Sequence, residues 1–121
     1  MRKILIVSSD RENSETMKEL SHKLGHSALV VSKKQTALEV LELNSDICLV
    51  IADVDLSNTE GKDLLQSIRE RDSLKEIPII ITSGKIKMLE IDELLRLGAA
   101  YFVPKPIKED YLAAYIKKLV P

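Results

Sequence analysis

This chain of 121 residues contains a single cysteine, so it can build neither a disulfide framework nor a zinc cluster from its own residues. Cys48 lies inside the apolar run Ile47-Cys48-Leu49-Val50-Ile51 and is read as a small core hydrophobe. An excess of one charge is lacking too. Against 18 Lys plus Arg stand 19 Asp plus Glu, a formal net charge of −1, and no long basic run leaves a footprint for nucleic acid or an anionic membrane surface. No apolar stretch approaches membrane-spanning length, and the short run from Ile4 to Val7 after Met1-Arg2-Lys3 is too brief for a signal peptide. A cytoplasmic location is expected, with no nucleic-acid or membrane partner. Repeats, linkers and low-complexity segments are also missing, and the length fits one domain over residues 1–121.

What is present is an ordinary globular mixture, 45% hydrophobic and 31% charged, enough for a real core. The runs Ile4 to Val7, Ile47 to Ala52, Ile79 to Ile81 and Tyr101 to Val103 are uniformly apolar, as strands covered on both faces should be. Ala28 to Val31, bracketed by Ser27 and Ser32, reads as an edge strand. Between these runs the period becomes helical. Met17, Leu20 and Leu24 share a face of a helix beginning near Arg11 and stopped by Gly25; Ala37, Leu38 and Leu41 mark a second from about Thr36 to Leu43. Leu64, Leu65 and Ile68 line a third helix. Met88, Ile91, Leu94 and Leu95 line a fourth, stopped by Gly98, and Leu112, Tyr115, Ile116 and Leu119 line the last, roughly Lys108 to Leu119. The alternation predicts an α/β fold: one doubly wound, five-stranded parallel sheet in the order 2-1-3-4-5 with helices on both faces.

In such sheets ligands sit beyond the carboxyl ends of the strands. Ser8, Ser9 and Asp10 follow the first strand, Asp53 and Asp55 the third, Ser83 and Gly84 the fourth, and Lys105 and Pro106 the fifth. An acid, a hydroxyl and an ammonium therefore converge on one rim. A carboxylate beside a Lys and a Ser can attack phosphorus, because the ammonium neutralises equatorial oxygens and the hydroxyl donates to another. Asp53 is the candidate acceptor. A Mg²⁺ would normally bridge the transferring group to oxygen ligands.

Three segments resemble those of the two-component response-regulator receiver family. Asp53-Val54-Asp55-Leu56-Ser57-Asn58-Thr59-Glu60-Gly61 is similar to its acceptor segment, in which a Gly follows the phosphorylated Asp by eight positions. Ile77-Pro78-Ile79-Ile80-Ile81-Thr82-Ser83-Gly84 resembles the fourth strand with its terminal Ser/Thr and small residue. Gly98-Ala99-Ala100-Tyr101-Phe102-Val103-Pro104-Lys105-Pro106-Ile107 resembles the segment whose Lys precedes a Pro, typically through a cis bond. The resemblance covers essentially the whole chain and implies the flavodoxin-like receiver fold. It implies that Asp53 accepts a phosphoryl group from a histidine kinase or phosphotransfer protein, that Ser83 and Lys105 bind it, and that Ser83 and Phe102 are the switch positions. The signal would leave through the face of the fourth helix, fifth strand and fifth helix to a downstream protein, without enzymatic output, and a homodimer is open. No output domain is expected, since Pro121 directly follows the fifth helix.

Two positions depart from the family pattern. Ser8 and Ser9 stand where the family has two adjacent metal-binding acids. The metal set expected here is Asp10, Asp53 and Asp55, a weak or altered site for Mg²⁺, with helix capping as the alternative role of Asp10. Asp55 and Lys85 occupy the positions that modulate access to the phosphoryl group, and an exposed ion pair between them, worth at most about 1 kcal/mol, is expected.

Two enzymatic or cofactor readings are weaker. Asp53-Val54-Asp55 has the DxD form of a haloacid-dehalogenase-type phosphatase, but that motif should close the first strand rather than the third. A flavin site fails because the loop Ser8 to Glu15 has no Gly to bring backbone close to a phosphate. The strongest rival is a degenerate receiver that binds partners without being phosphorylated. His22 and His26 have no metal partners at suitable spacing and are read as surface residues; Met17 and Met88 are read as inward-facing.

Overall fold

The computed structural model describes residues 2–55, 60–85 and 87–121. Leu56 to Thr59, part of the acceptor motif, lie outside the described residues. Strands and helices alternate as β1 (Lys3–Val7), α1 (Arg11–Lys23), β2 (Ser27–Val31), α2 (Lys34–Leu43), β3 (Ile47–Asp53), α3 (Glu60–Glu70), β4 (Ile79–Ser83), α4 (Met88–Arg96), β5 (Tyr101–Pro104) and α5 (Glu109–Leu119). All pairings are parallel, in the order β2-β1-β3-β4-β5.

The uniformly apolar strands follow from two cores, one on each face. Successive strand residues point to opposite faces. Leu5, Val50, Ile79 and Ile81 pack against Leu38, Leu41, Leu64, Leu65, Ile68 and Leu94. Their neighbours Ile4, Ile6, Leu49, Ile51 and Ile80 pack with Met17, Leu20, Leu112 and Ile116 on the other face. Each fully buried Ile or Leu contributes about 1.5–3 kcal/mol. The edge strand β2 is the exception: Leu29 and Val30 are exposed, as its weaker pattern implies. Tyr101 and Tyr115 stack at 4.1 Å between centroids and hold α5 against β5.

Gly25 and Gly98 follow α1 and α4 with φ of 89° and 105°, the left-handed conformation that ends a helix at little cost only in glycine. At Gly61 the constraint is steric instead: an added Cβ would lie 2.6 Å from Val54 Cβ. The expected start of α2 at Thr36 is two residues late, because no side chain caps that helix to mark its beginning. A second correction concerns α4. Leu94 is buried, but Met88 is 83% exposed and Leu95 is partly exposed, so Met88 does not line the core. A helix returning across the sheet begins level with the strand ends, where there is no sheet left to cover its first turn.

One clamp was not legible. Arg69 of α3 donates to the carbonyls of Lys75 and Ile77 before β4 and to that of Gly98 before β5, joining the connection that enters β4 to the one that enters β5. Burial lowers the pKa of its guanidinium, against the raising effect of the Glu76 charge.

Candidate functional site

The rim at the carboxyl ends of β1, β3, β4 and β5 forms a depression of about 320 Å³ lined by Ser9, Asp10, Asp53, Asp55, Gly84, Lys85 and Lys105. Register puts its floor there. Asp53 pairs with Thr82 and Ser83 with Pro104 across adjacent strands, and the Lys105 N–H donates to the Ser83 carbonyl at 3.0 Å. Three residues far apart in the chain thereby share one level. The Lys105–Pro106 peptide bond is cis.

Asp53 ends the middle strand and is 2% exposed. Its Oδ1 accepts the Asp55 N–H at 2.9 Å; its Oδ2 accepts Lys105 Nζ at 2.7 Å and the Ser8 hydroxyl at 3.1 Å. Ser8 itself is buried and its Oγ also accepts the Asp10 N–H. A buried carboxylate is tolerated only when paired and hydrogen-bonded, and here both conditions are met.

Lys105 is the cationic centre. Besides Asp53, its Nζ stands 3.3 Å from Asp55 Oδ2 and 3.8 Å from Asp10 Oδ2. Burial works to lower its pKa, but Asp53 and Asp55 outweigh this and hold it above the usual lysine value.

Asp55 takes a role the sequence did not reveal. Its Oδ1 accepts the Ser83 hydroxyl, and its Oδ2 accepts the Gly84 N–H at 2.8 Å. Burial opposes its ionisation, yet the Gly84 and Ser83 hydrogen bonds together with Lys105 hold its carboxyl below the usual carboxylate range. The ion pair expected with Lys85 is not formed among the described residues: Lys85 is exposed, and Asp55 spends its oxygens on Ser83, Gly84 and Lys105. Lys85 contributes its backbone N–H instead, donating to Ser83 Oγ at 3.1 Å. The signal that could have found this is the short spacing Ser83-Gly84, which presents a hydroxyl and a backbone donor side by side.

Asp10 caps α1. Its Oδ1 accepts the Asn13 N–H at 3.1 Å and its Oδ2 the Asn13 Nδ2 at 2.7 Å. The Asn13 backbone donor, against a smaller effect of burial, holds its carboxyl below the usual range. Thr82 and Ser83 are both buried, and it is the Ser83 hydroxyl that reaches Asp55. Phe102 is half-buried against the α2–α3–α4 core. His22 is exposed and His26 half-exposed.

The expected magnesium ligands are not free to act together. The Asp10 carboxylate faces its own helix, Asp53 Oδ2 is held by Lys105 and Ser8, and both Asp55 oxygens are engaged. Among the described residues no three acidic, His or Cys side chains gather as a metal set. As folded, the ammonium of Lys105 lies between the carboxylates that a cation would need, so this donor set does not fit Mg²⁺.

Comparison with known proteins agrees with the fold. The response regulator receiver domain model matches residues 4–117. The chain is 31% identical over 120 residues to the transcriptional regulatory protein CpxR of Escherichia coli K12, covering 99% of this chain and 50% of CpxR. It is 30% identical over 90 residues to the two-component response regulator ORR3 of Oryza sativa subsp. indica, covering 74% of this chain and 69% of ORR3. The chain thus spans about half the length of the CpxR relatives it matches. Among solved structures, a response regulator receiver protein from Pseudomonas putida superposes with a TM-score of 0.89 at 25% identity, covering 97% and 96% of the two chains. A putative response regulator from Chloroflexus aurantiacus gives 0.89 at 21% identity over 98% and 96%, a likeness of fold.

Proposed function

The chain belongs to the response regulator receiver family, and from that premise we propose that it accepts a phosphoryl group on Asp53 from a partner's phosphohistidine. Receiver domains are generally signalling modules rather than enzymes, and they interact with histidine kinases or phosphotransfer proteins. The observation that carries the reading is Lys105 Nζ at 2.7 Å from Asp53 Oδ2, with the Ser83 hydroxyl on the same rim. In the transfer an Asp53 oxygen forms the new O–P bond, the P–N bond breaks, and its electron pair returns to the imidazole, which leaves neutral when its other nitrogen carries a proton. Lys105 offsets the charge on the transferring group and Ser83 donates to one of its oxygens. Receivers generally bind Mg²⁺ at their acidic pocket; this donor set does not fit one.

Residues 1–121 act in this reading as a single receiver domain, in the cytoplasm. Drawing Ser83 toward the new phosphoryl oxygens shifts the loop after β4, and Phe102 and the face of α4, β5 and α5 carry the change to a downstream protein or a second copy. Asp55 and Lys85 flank the entrance and govern access to it.

A second reading is a module that binds partners without being phosphorylated. One observation favours it: the Ser83 hydroxyl is already donated to Asp55. Intact-mass spectrometry after incubation with phosphoramidate, with and without Mg²⁺, separates the two. Gain of one phosphoryl group by the wild type and none by Asp53→Asn is the expected result. Equal labelling of both proteins would overturn Asp53 as the acceptor, and no labelling of either would favour the second reading.

A further inference from the structure

Gly84 and Lys105, which line the depression with Asp53, and the neighbouring Ser83 hydroxyl are already engaged with an anion belonging to the chain itself. Asp55 accepts the Ser83 hydroxyl and the Gly84 N–H, and Lys105 Nζ lies 3.3 Å away. A hydroxyl, a backbone N–H and an ammonium are the groups that the outer oxygens of a phosphoryl group on Asp53 would require, since each such oxygen is negatively charged and needs a donor. The Asp55 carboxylate supplies two oxygens and a negative charge to the same set.

We propose that Asp55 is a built-in occupant of the phosphoryl-oxygen pocket: it engages Ser83 and Gly84, the donors that a phosphoryl group would otherwise draw to itself, and it must swing out before such a group can settle. Assigning these donors to phosphoryl oxygens rests on the phosphoryl-accepting reading above; occupation of an anion pocket by Asp55 does not. The local turn explains how the side chain arrives there. The Asp55 N–H bonds back to Asp53 Oδ1 at 2.9 Å, which sets the two carboxylates side by side, and Lys105 between them offsets their repulsion. Asp55 is thus a positioning residue with two effects. It biases the loop after β4 toward one arrangement in the absence of a phosphodonor, and it competes with free phosphate-like anions for the same donors.

The test is a titration of ¹⁵N-labelled protein with inorganic phosphate at ionic strength matched with chloride, followed at the Ser83 and Gly84 amides. In the wild type these amides should respond no more than to chloride. In Asp55→Ala they should shift saturably, with an apparent affinity at least about tenfold above that of the wild type, because an intramolecular competitor has been removed. Asp55→Asn, which keeps the side-chain shape and loses the charge, should fall between them and serves if the Ala variant does not fold. The same response in wild type and variants, or none in any of them, would overturn the proposal. Phosphoramidate labelling of the same proteins keeps the two ideas apart: if Asp53 is never modified, phosphoryl acceptance fails, while the phosphate titration still decides the role of Asp55.

Discussion

On the β1 side of the rim, Ser8, Ser9 and Asp10 contribute neutral hydroxyls and one carboxylate turned onto its own helix. On the β3–β5 side, Asp53, Asp55, Ser83 and Lys105 come from three strands and bind one another. The first arrangement is held mostly by contacts within a few residues along the chain; the Ser8 bond to Asp53 and the longer 3.8 Å approach of Asp10 to Lys105 reach beyond them. The second exists only when the sheet is assembled, and it carries the buried charge. The contrast says where cation dependence should lie: in Lys105, fixed by the fold, rather than in acids after β1.

The largest test of that contrast is Lys105→Met, which keeps most of the stem and removes the charge. Two carboxylates then lose their cation, and a loss of about 2–3 kcal/mol in urea unfolding at neutral pH is expected; a loss below about 0.5 kcal/mol would erase the distinction between the two halves. Because the folded pKa of Lys105 lies above its ordinary value, its contribution is complete below that value and is lost as pH rises through the folded one. The difference between wild type and Lys105→Met should therefore shrink above about pH 10.

Converting the β1 side is the next step. Ser8→Asp with Ser9→Asp places new carboxylates beside Asp53, whose Oδ2 is 3.1 Å from Ser8 Oγ. Without metal this should cost about 1–2 kcal/mol through like-charge repulsion, and millimolar Mg²⁺ should restore it with at least about tenfold tighter binding than in the wild type. Equal Mg²⁺ affinity in both proteins would mean that the acids do not converge there.

Asp10→Ala should cost about 1 kcal/mol, the value of a helix cap. The folded pKa of Asp10 is depressed, so its contribution is present above the ordinary carboxylate range and is lost as pH falls through the folded value. The difference from wild type should fade below about pH 4 in acid unfolding curves. Lys85→Ala should change stability least, by less than about 0.5 kcal/mol, because the backbone N–H it gives to Ser83 survives the substitution; a larger loss would point to an ion pair in solution after all.

The readable parts were those governed by neighbours along the chain. Gly25 and Gly98 end helices, Asp10 caps one, and the runs around Leu5, Ile51 and Ile80 are apolar on both faces because each face meets a helix layer. Asp53, Ser83 and Lys105 could be placed on one rim because a parallel sheet brings strand ends together. Met88 was misplaced for the opposite reason: its spacing fits the inner face of α4, but spacing does not tell where the sheet stops. Asp55 was assigned to Lys85 because both occupy the family's access-modulating positions, although its carboxylate meets the Gly84 N–H and the Ser83 hydroxyl instead.

By itself the sequence determined the alternation of strands and helices, the order of the sheet and the end of the sheet at which chemistry gathers, since hydrophobic period and crossover handedness are set by local sterics. The tertiary structure alone decided which charge meets which. That Lys105 binds Asp53 and Asp55, that Ser8 serves Asp53, and that Asp55 fills the donors beside it depend on side chains meeting through space across strands more than twenty residues apart, where short-range hydrogen bonding and exclusion of water select the pairs.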